Sequence, residues 1–403
     1  MNHSSDLSNL PFEILVRITD FLTTRDVLNL SICSKQCYDL LFVVKFADNV
    51  DFEKISNLPY KDSFLDVKYG SGSAPQFPKS LQRLRWYCSD ILPTLPKTLI
   101  YLDIGSIYYQ RLPTLPDTLE TLILGHDYNH EITYLPERLI YLELGFWYNR
   151  PLPQLPNSLS CLKLNNSYNQ PFTRFPDSLE SLILGDDYNQ VLPEFPNSLT
   201  NLKLGLSYTQ KLPDLPNSLI QLILGECYYW PFSSFPNSLL RLELNYIYDQ
   251  VLPPLPDSLL HLELNYSYNQ ILPPLPDSVV YLILGVNYNH PFSRLPASLT
   301  FLKLGYYYNH VLPQLPDSLE HLLIGWHYIQ PLPAFPSSLK RLCLGNFYNH
   351  PLPELPNSLT HLKLGSRYEH NLPSLPDSLE HLTVKRTLRL PRLAPNVKVN
   401  FLD

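Results

Sequence analysis

A block of 20 residues recurs along most of this 403-residue chain without any change of register. Fifteen prolines stand 20 residues apart from Pro96 to Pro376, and a second column is tyrosine in all fourteen units from Tyr108 to Tyr368. Such a period is typical of a solenoid, because one short unit cannot bury its own apolar face and becomes stable only when neighbours stack against it. The sequence therefore predicts an array of stacked coils.

Each unit divides into a leucine-rich half and a proline-rich half. With Leu259 as position 1, apolar residues occupy positions 1, 4, 6, 10, 14 and 17, and Pro276 is position 18. Positions 4 and 6 predict a short strand that buries these two side chains and turns positions 3 and 5 to the opposite face. The prolines that follow favour an extended, polyproline-like return and exclude a helix. The tyrosine at position 10 is expected to form a stacked interior column.

Position 7 holds only two residue types. Glycine and asparagine are the residues that most readily adopt positive φ, so we expect a left-handed bend in the backbone at this position of every unit. Glycine fills eleven units and asparagine three, namely Gly105, Gly125, Gly145, Asn165, Gly185, Gly205, Gly225, Asn245, Asn265, Gly285, Gly305, Gly325, Gly345 and Gly365.

A polar column follows the tyrosine. Asparagine stands at position 11 in eight units, and we expect its buried amide to donate hydrogen bonds to carbonyl groups of the neighbouring coil. The eight residues are Asn129, Asn149, Asn169, Asn189, Asn269, Asn289, Asn309 and Asn349.

The repeat resembles two related families. Its LxxLxL core followed by "LPxLP" is similar to the short leucine-rich repeat of bacterial effector proteins. The closer resemblance is to FNIP repeats, whose Phe-Asn-x-Pro signature reads "YNRP" at 148–151, "YNQP" at 168–171 and "YNHP" at 288–291 and 348–351. The resemblance covers residues 96 to about 384. It implies a leucine-rich-repeat-like β-solenoid and names no ligand.

Residues 8–42 lie outside the repeat and predict three short helices. Apolar residues from Leu10 to Leu22 follow a helical period. Asn9 is the expected N-cap of the first helix, Asp26 caps the second, and "SK" at 34–35 begins the third. Three such helices carry more apolar surface than they can bury by themselves, so one of their faces is expected to meet another surface.

This head resembles an F-box. "LPFEIL" at 10–15, "DVL" at 26–28 and "CSK" at 33–35 stand at the spacing of that family, which usually shows Trp or Phe near the position of Tyr38. The resemblance implies binding to a Skp-type adaptor and, through it, to a cullin–RING ubiquitin ligase. Carried over by position, the residues that would enter the adaptor's apolar groove are Leu10, Pro11, Ile14, Leu15, Ile18 and Leu28. The alternative to adaptor binding is that these residues pack against the first coils, so that the head is an ordinary N-terminal cap.

If the head binds an adaptor, the array is the expected receptor for a target protein. Positions 3 and 5 vary where the core positions do not, and aromatic residues and arginine are favoured at binding hot spots. A merely solvated sheet face would vary in the same way. The target-binding candidates, all at position 3, are Tyr141, His261, Tyr281, Phe301, His321, Arg341 and His361.

Composition argues against several other functions. A formal net charge of -7 is unlike that of a general nucleic-acid binder, and no run of about 18 apolar residues indicates a membrane span. The six cysteines lack paired spacing, which indicates reduced thiols in the cytoplasm or nucleus. His361 and His381 share position 3, but no cysteine or carboxylate column completes a metal site. We therefore expect a monomer without catalytic activity, cofactor or metal.

The sequence thus predicts four segments: an all-α F-box head at 1–44, connecting and degenerate capping coils at 45–95, the repeat array at 96–384 and a C-terminal cap at 385–403. The expected function is substrate recognition for a Skp–cullin–F-box ubiquitin ligase. Proteins that pair these two families resemble those of social amoebae and of giant viruses that infect amoebae, which favours a eukaryotic or infected-host cytoplasm. The alternative is a ligase-independent protein-binding scaffold or host-directed effector.

Overall fold

The computed structural model describes residues 10–71, 76–391 and 397–402. The chain divides into two compact units, Met1–Pro171 with Phe175–Leu179 and Phe172–Arg174 with Glu180–Asp403. Both are built from coils of a parallel β-solenoid, of which the chain holds about 17 turns. The predicted β-solenoid is therefore confirmed. None of the helices among the described residues has the length and apolar character needed to cross a membrane.

Short helices open the first unit, and their starts follow from local side chains. Thr23 is the N-cap of the second helix, because its hydroxyl accepts the Asp26 N–H at 3.2 Å while the Asp26 carboxylate accepts the Thr23 N–H at 3.3 Å. The prediction that Asp26 is the cap itself is wrong by three residues, and Asn9 lies outside the described residues. The helices are α1 Phe12–Thr19, α2 Thr24–Ser31, α3 Lys35–Asp39 and α4 Phe52–Ile55, with 3-10 turns at Leu40–Phe42 and Lys61–Ser63.

The head has a small core of its own. Leu15, Cys37 and Leu40 are fully buried against one another, and the Gln36 side chain ties α3 to the start of α1 by donating to the Leu10 carbonyl at 3.1 Å. The head also packs on the first coil, where the Ser63 hydroxyl donates to the Leu41 carbonyl at 2.5 Å. It is therefore continuous with the solenoid of the first unit.

Within each unit neighbouring strands pair in parallel. Partners in the regular repeats are one 20-residue step apart, as in the Tyr281↔Phe301 register, whereas pairs at the ends have shorter steps, such as Asp66↔Arg83 and His381↔Lys398. The strands of the first unit are β1 Phe46–Asp51, β2 Phe64–Tyr69, β3 Arg83–Trp86, β4 Tyr101–Asp103, β5 Thr121–Ile123, β6 Tyr141–Glu143 and β7 Cys161–Lys163. Those of the second are β8 Ser181–Ile183, β9 Asn201–Lys203, β10 Gln221–Ile223, β11 Arg241–Glu243, β12 His261–Glu263, β13 Tyr281–Ile283, β14 Phe301–Lys303, β15 His321–Leu323, β16 Arg341–Cys343, β17 His361–Lys363, β18 His381–Lys385 and β19 Lys398–Leu402.

The core consists of the columns that the sequence pattern predicts. In the 20-residue repeat that begins at Leu259, the side chains at positions 1, 4, 6 and 10 are at most 1% exposed, namely Leu259, Leu262, Leu264 and Tyr268. Each short strand has a buried central residue between two partly exposed neighbours, as in Tyr281–Ile283. Positions 3 and 5 therefore form the outer face of the sheet, and position 4 faces inward.

The glycine column has a different cause from the predicted one. Among the described residues only Gly105 has positive φ, at 54°, and no non-glycine residue does, so the prediction of a left-handed bend in every unit is wrong. A Cβ atom on Gly305 would instead lie 1.9 Å from the carbonyl oxygen of Gly285, and one on Gly325 would lie 1.7 Å from that of Gly305. At these two positions glycine is favoured because successive backbones touch there. The Asn265 amide uses this contact to donate to the Asn245 side chain at 3.2 Å.

The tyrosines at position 10 form a buried column, here called the tyrosine spine. Within each unit, successive rings stack nearly parallel with centroids 6.1–6.5 Å apart. At the first member, the Tyr108 hydroxyl donates to the Arg111 carbonyl at 2.9 Å and accepts the Leu92 N–H at 3.4 Å. Burial raises the pKa of Tyr128, Tyr228 and Tyr288 to about 12, although a nearby backbone N–H lowers it in part.

The backbone contact at position 7 predicts a large effect from one methyl group. Gly305→Ala should destabilise the protein by about 1–3 kcal/mol, because its Cβ overlaps a backbone atom that cannot move without separating two coils. The matched control is Gly70→Ala, since an added Cβ there meets nothing within 4 Å. Chemical denaturation measures both. Equal stability of the two variants would show that the coils are not in backbone contact at position 7.

The spine predicts alkaline unfolding. A phenol whose pKa rises from 10.0 to about 12 on folding contributes stability that is complete below pH 10 and is lost as the pH approaches 12. Tyrosinate absorbance and circular dichroism, followed together in a pH titration, should show the spine tyrosines ionising as the β-structure is lost. Ionisation of all tyrosines near pH 10 with the β-signal intact would contradict a buried spine.

Candidate functional site

A groove of about 720 Å³ lies over the glycine column of the second unit, and we call it the glycine groove. Gly285, Gly305, Gly325 and Gly345 line it at position 7. Because these residues have no side chains, they leave an open floor between the columns on either side. The groove is therefore a direct result of the backbone contact that holds the coils together.

One wall of the glycine groove is aromatic. Tyr246, Tyr266, Tyr306 and Trp326 stand at position 8 of their coils, and all four are exposed. Tyr246 stacks on Tyr266 with centroids 4.6 Å apart, and Tyr306 stacks on Trp326 at 5.8 Å. Exposed aromatic side chains held in fixed positions are the groups that most often anchor a protein partner.

The opposite wall combines apolar and charged side chains at position 5. Ile283 and Leu323 alternate with Lys303, and Glu263 and Lys363 stand at the two ends of this row. Neither lysine forms a salt bridge within the part of the chain that the structure describes. A bound segment would thus meet apolar surface along the groove, with acidic and basic groups at different places along its length.

A second aromatic column follows at position 9, the residue next to the aromatic wall in each repeat. Tyr307 stacks on His327 with centroids 5.1 Å apart, and His327 stacks on Phe347 at 4.7 Å. The Arg367 guanidinium lies 4.0 Å from the centre of the Phe347 ring. These stacked rings fix one another, so that the surface beside the groove is preorganised.

The position-3 candidates lie on the outer face of the sheet, and none lines the glycine groove. His261, Tyr281 and Phe301 form one stack with centroid separations of 4.4 and 4.3 Å. His321 continues this row, tilted 50° to Phe301. The other candidates are Arg341, which is exposed, and His361, which stacks on His381 at 4.5 Å. Their role in target binding stays a prediction.

Tyr141, the one candidate in the first unit, is engaged within the chain. Its hydroxyl donates to Glu143 at 2.8 Å, and Lys163 forms an ion pair with the same carboxylate at 2.8 Å. Burial would raise the pKa of Glu143, but these two hydrogen bonds outweigh it and lower the pKa. Tyr141 would have to leave this network in order to contact a target.

The predicted adaptor-binding residues of the head differ widely in accessibility. Leu15 is 0% exposed in the head's own core, and Leu10 packs against that core. Pro11 is exposed, Ile14 is 42% exposed, and Ile18 and Leu28 are half-buried. Leu15 is therefore not available to a partner in this conformation, whereas Ile14 and Pro11 are.

Comparison with protein families identifies both parts of the chain. The F-box domain model matches residues 7–47. The FNIP repeat model matches residues 148–187, 188–227, 248–285, 268–307 and 348–385. The chain combines an F-box domain with FNIP repeats. Among curated proteins, none shows significant sequence similarity to this F-box/FNIP protein.

Solved leucine-rich-repeat structures share the fold of the F-box/FNIP protein. The crystal structure of CroV588, described as a novel circular leucine-rich-repeat protein, matches with a TM-score of 0.61 and 31% identity over 84% of this chain. This chain spans 63% of the length of CroV588. YopM from Yersinia enterocolitica matches with a TM-score of 0.59 and 28% identity, covering 82% of this chain and 79% of YopM.

The FNIP signature of this F-box/FNIP protein has a structural explanation. The position-11 asparagine side chain accepts the backbone N–H of the next coil, as where Asn289 Oδ1 accepts from Asn309 N at 2.9 Å. The prediction that buried amides donate to carbonyls is wrong on both counts, because Asn289 is exposed and acts through its oxygen.

Position 12 supplies a donor, since His310 Nε2 lies 2.9 Å from the Asn289 carbonyl. Serine at position 20 adds a third ladder, in which Ser278 donates to the Leu259 carbonyl at 2.7 Å.

Sequence reasoning missed two exposed sets of residues in the F-box/FNIP protein. In the head, Phe21 is 89% and Ile32 84% exposed. In the array, it missed the aromatic wall at position 8, because strand alternation predicts outward-facing side chains only at positions 3 and 5 and position 8 lies beyond the strand. The signal was present in the sequence, since four of six consecutive units from Tyr246 to Asn346 carry Tyr or Trp at this otherwise variable position.

Proposed function

We propose that this protein is the substrate-recognition subunit of a Skp–cullin–F-box ubiquitin ligase. The head binds a Skp-type adaptor, and the repeat array binds a target protein. The observation that carries the proposal is that one chain combines an F-box domain, whose helices leave large apolar side chains in solvent, with a preorganised aromatic groove in its repeat array. Such a chain brings a target to the ligase without doing chemistry on it, so we propose that it has no catalytic activity of its own.

The accessible part of the head supports the adaptor contact. Ile14 and Ile18 are four residues apart on α1 and so share one face of that helix. Phe21 and Ile32 add apolar surface that no other described element covers. Exposure of this much apolar surface costs free energy in an isolated head, and an apolar groove on an adaptor removes it from water.

The glycine groove is the proposed target site. Its aromatic wall offers anchoring surface, and Ile283 and Leu323 offer apolar contacts on the other side. We expect a target segment with apolar side chains, and an acidic residue that pairs with Lys303 or Lys363. Both proposed contacts fit a protein that acts in a eukaryotic or infected-host cytoplasm.

A ligase-independent scaffold or effector is the second candidate. Its support is the burial of Leu15, which the head uses for its own packing. In that case the head caps the first coils and the array alone acts. The two candidates differ in one measurable property, which is binding of the head to a Skp-type adaptor.

The adaptor contact is tested with charged substitutions at exposed positions. Ile14→Glu and Phe21→Glu, in the full chain, should each weaken binding to a purified Skp-type adaptor at least thirtyfold, because a buried hot-spot residue contributes about 2 kcal/mol or more. Val311→Glu is the control, since Val311 is exposed on the array. Isothermal titration calorimetry gives the affinities. Absence of wild-type binding to any adaptor tried would favour the scaffold.

The target site is tested in cells by proximity labelling with the full chain. Trp326→Ala and Tyr306→Ala should reduce labelling of the target at least tenfold, because each removes an anchor from the aromatic wall. Trp147→Ala, which removes an exposed tryptophan from the first unit, should leave labelling unchanged. If the ligase model holds, the same target accumulates when Ile14→Glu replaces the wild type. Identical labelling by all variants would place the target elsewhere.

A further inference from the structure

We propose that Glu243, His261 and Glu263 form a binding site for a divalent transition metal, best suited to Zn²⁺, on the outer face of β11 and β12. One imidazole nitrogen and one oxygen from each carboxylate all lie within 4.8 Å of one another. Glu243 and Glu263 occupy position 5 of successive coils, and His261 occupies position 3 of the second coil. The site therefore arises only where this histidine and two glutamates coincide in neighbouring coils.

The distance between His261 and Glu263 fits a shared metal ion better than a direct hydrogen bond. His261 Nε2 is 3.6 Å from Glu263 Oε2, which is longer than a normal N–H···O hydrogen bond of about 2.7–3.2 Å. Zinc binds such ligands at about 2.0–2.2 Å, so two neighbours in a tetrahedral site are roughly 3.4 Å apart. A metal ion can thus be accommodated between them with almost no movement of either side chain.

The imidazole nitrogen provides a second observation. His261 Nε2 is buried and has no hydrogen-bond partner among the described residues, which costs free energy unless something else occupies that nitrogen. The ring is held in place by Tyr281, whose centroid is 4.4 Å away. An imidazole whose unpaired nitrogen lies close to two carboxylates is a ligand arrangement that suits zinc.

The charged neighbours define a competitor. Arg241 bonds to Glu243, with its Nε 2.5 Å from Oε1. The guanidinium and a metal ion therefore compete for Glu243, and removal of the guanidinium should favour the metal. The side chains of the three candidate ligands are 16–28% exposed, so water screens them weakly.

The site is specific to this pair of coils within the described part of the array. His361 and His381 stack in the same column at 4.5 Å, but position 5 of their coils holds Lys363 and Thr383, neither of which suits a metal. Three protein ligands leave one position of a tetrahedral ion open. Since Glu263 also lines the glycine groove, the proposed metal site adjoins the proposed target site.

The test uses the full chain, stripped with a chelator and titrated with ZnCl₂ by calorimetry. We expect one equivalent of zinc to bind. His261→Ala and Glu263→Gln should each weaken that binding at least about tenfold, because loss of a direct ligand costs no less than loss of a supporting group. His361→Ala should leave the affinity unchanged, and Arg241→Gln should increase it several-fold. Circular dichroism checks that every variant is folded.

Cobalt substitution distinguishes this site from the cysteines. Co²⁺ bound by imidazole and carboxylates gives weak visible bands, whereas thiolate ligands add an intense ultraviolet charge-transfer band. We expect only the weak bands, and their loss in His261→Ala. A thiolate band, non-saturable binding, or unchanged affinity in both His261→Ala and Glu263→Gln would overturn the proposal. None of these outcomes depends on whether the head binds an adaptor or the groove binds a target.

Discussion

The close approach of each position-7 glycine to the carbonyl group of the preceding coil is the constraint on which the rest of the structure depends. Parallel strand pairing at positions 3 to 5 brings successive coils to the spacing of a β-ladder. The chain then turns at position 7, where the Tyr308 N–H donates to the Gly305 carbonyl at 3.3 Å. At that spacing a Cβ on Gly305 overlaps the Gly285 oxygen. At Gly305 the sequence satisfies both demands by omitting the side chain, whereas three repeats carry asparagine at this position.

The part of each coil outside its three-residue strand needs other partners for its backbone. Three polar columns provide them, each acting across one coil-to-coil step: the asparagine oxygen at position 11, the donor at position 12 and the serine hydroxyl at position 20. Trp230 replaces histidine in the second of these roles and donates to the Thr209 carbonyl at 2.8 Å. What the column requires at position 12 is thus a donor of sufficient reach. Asp249 likewise replaces asparagine, and it accepts the Asn269 N–H at 2.8 Å.

The repeat made the solenoid, its buried columns and the outward direction of positions 3 and 5 predictable from sequence, because these follow from periodicity alone. The role of glycine was not predictable in this way. A column made mostly of glycine is expected both from positive φ and from backbone contact, and only the distance between successive coils separates the two causes. Leu15 shows a related limit, since a helical apolar residue faces either a partner or its own core. Prediction of the proposed metal-ligand cluster also required the strand register, which aligns Glu243 with Glu263.

The glycine column also explains how so uniform an array can be selective. The core columns cannot vary without loss of packing, and position 7 cannot carry most side chains at all. The columns that flank it, at positions 5, 8 and 9, have neither restriction. Exchanging Trp326, Lys303 or Glu263 changes what a ligand meets in the groove and leaves the spine, the ladders and the backbone contact as they are. The floor is therefore the most constrained part of the proposed site, and its walls are the part free to specify a target.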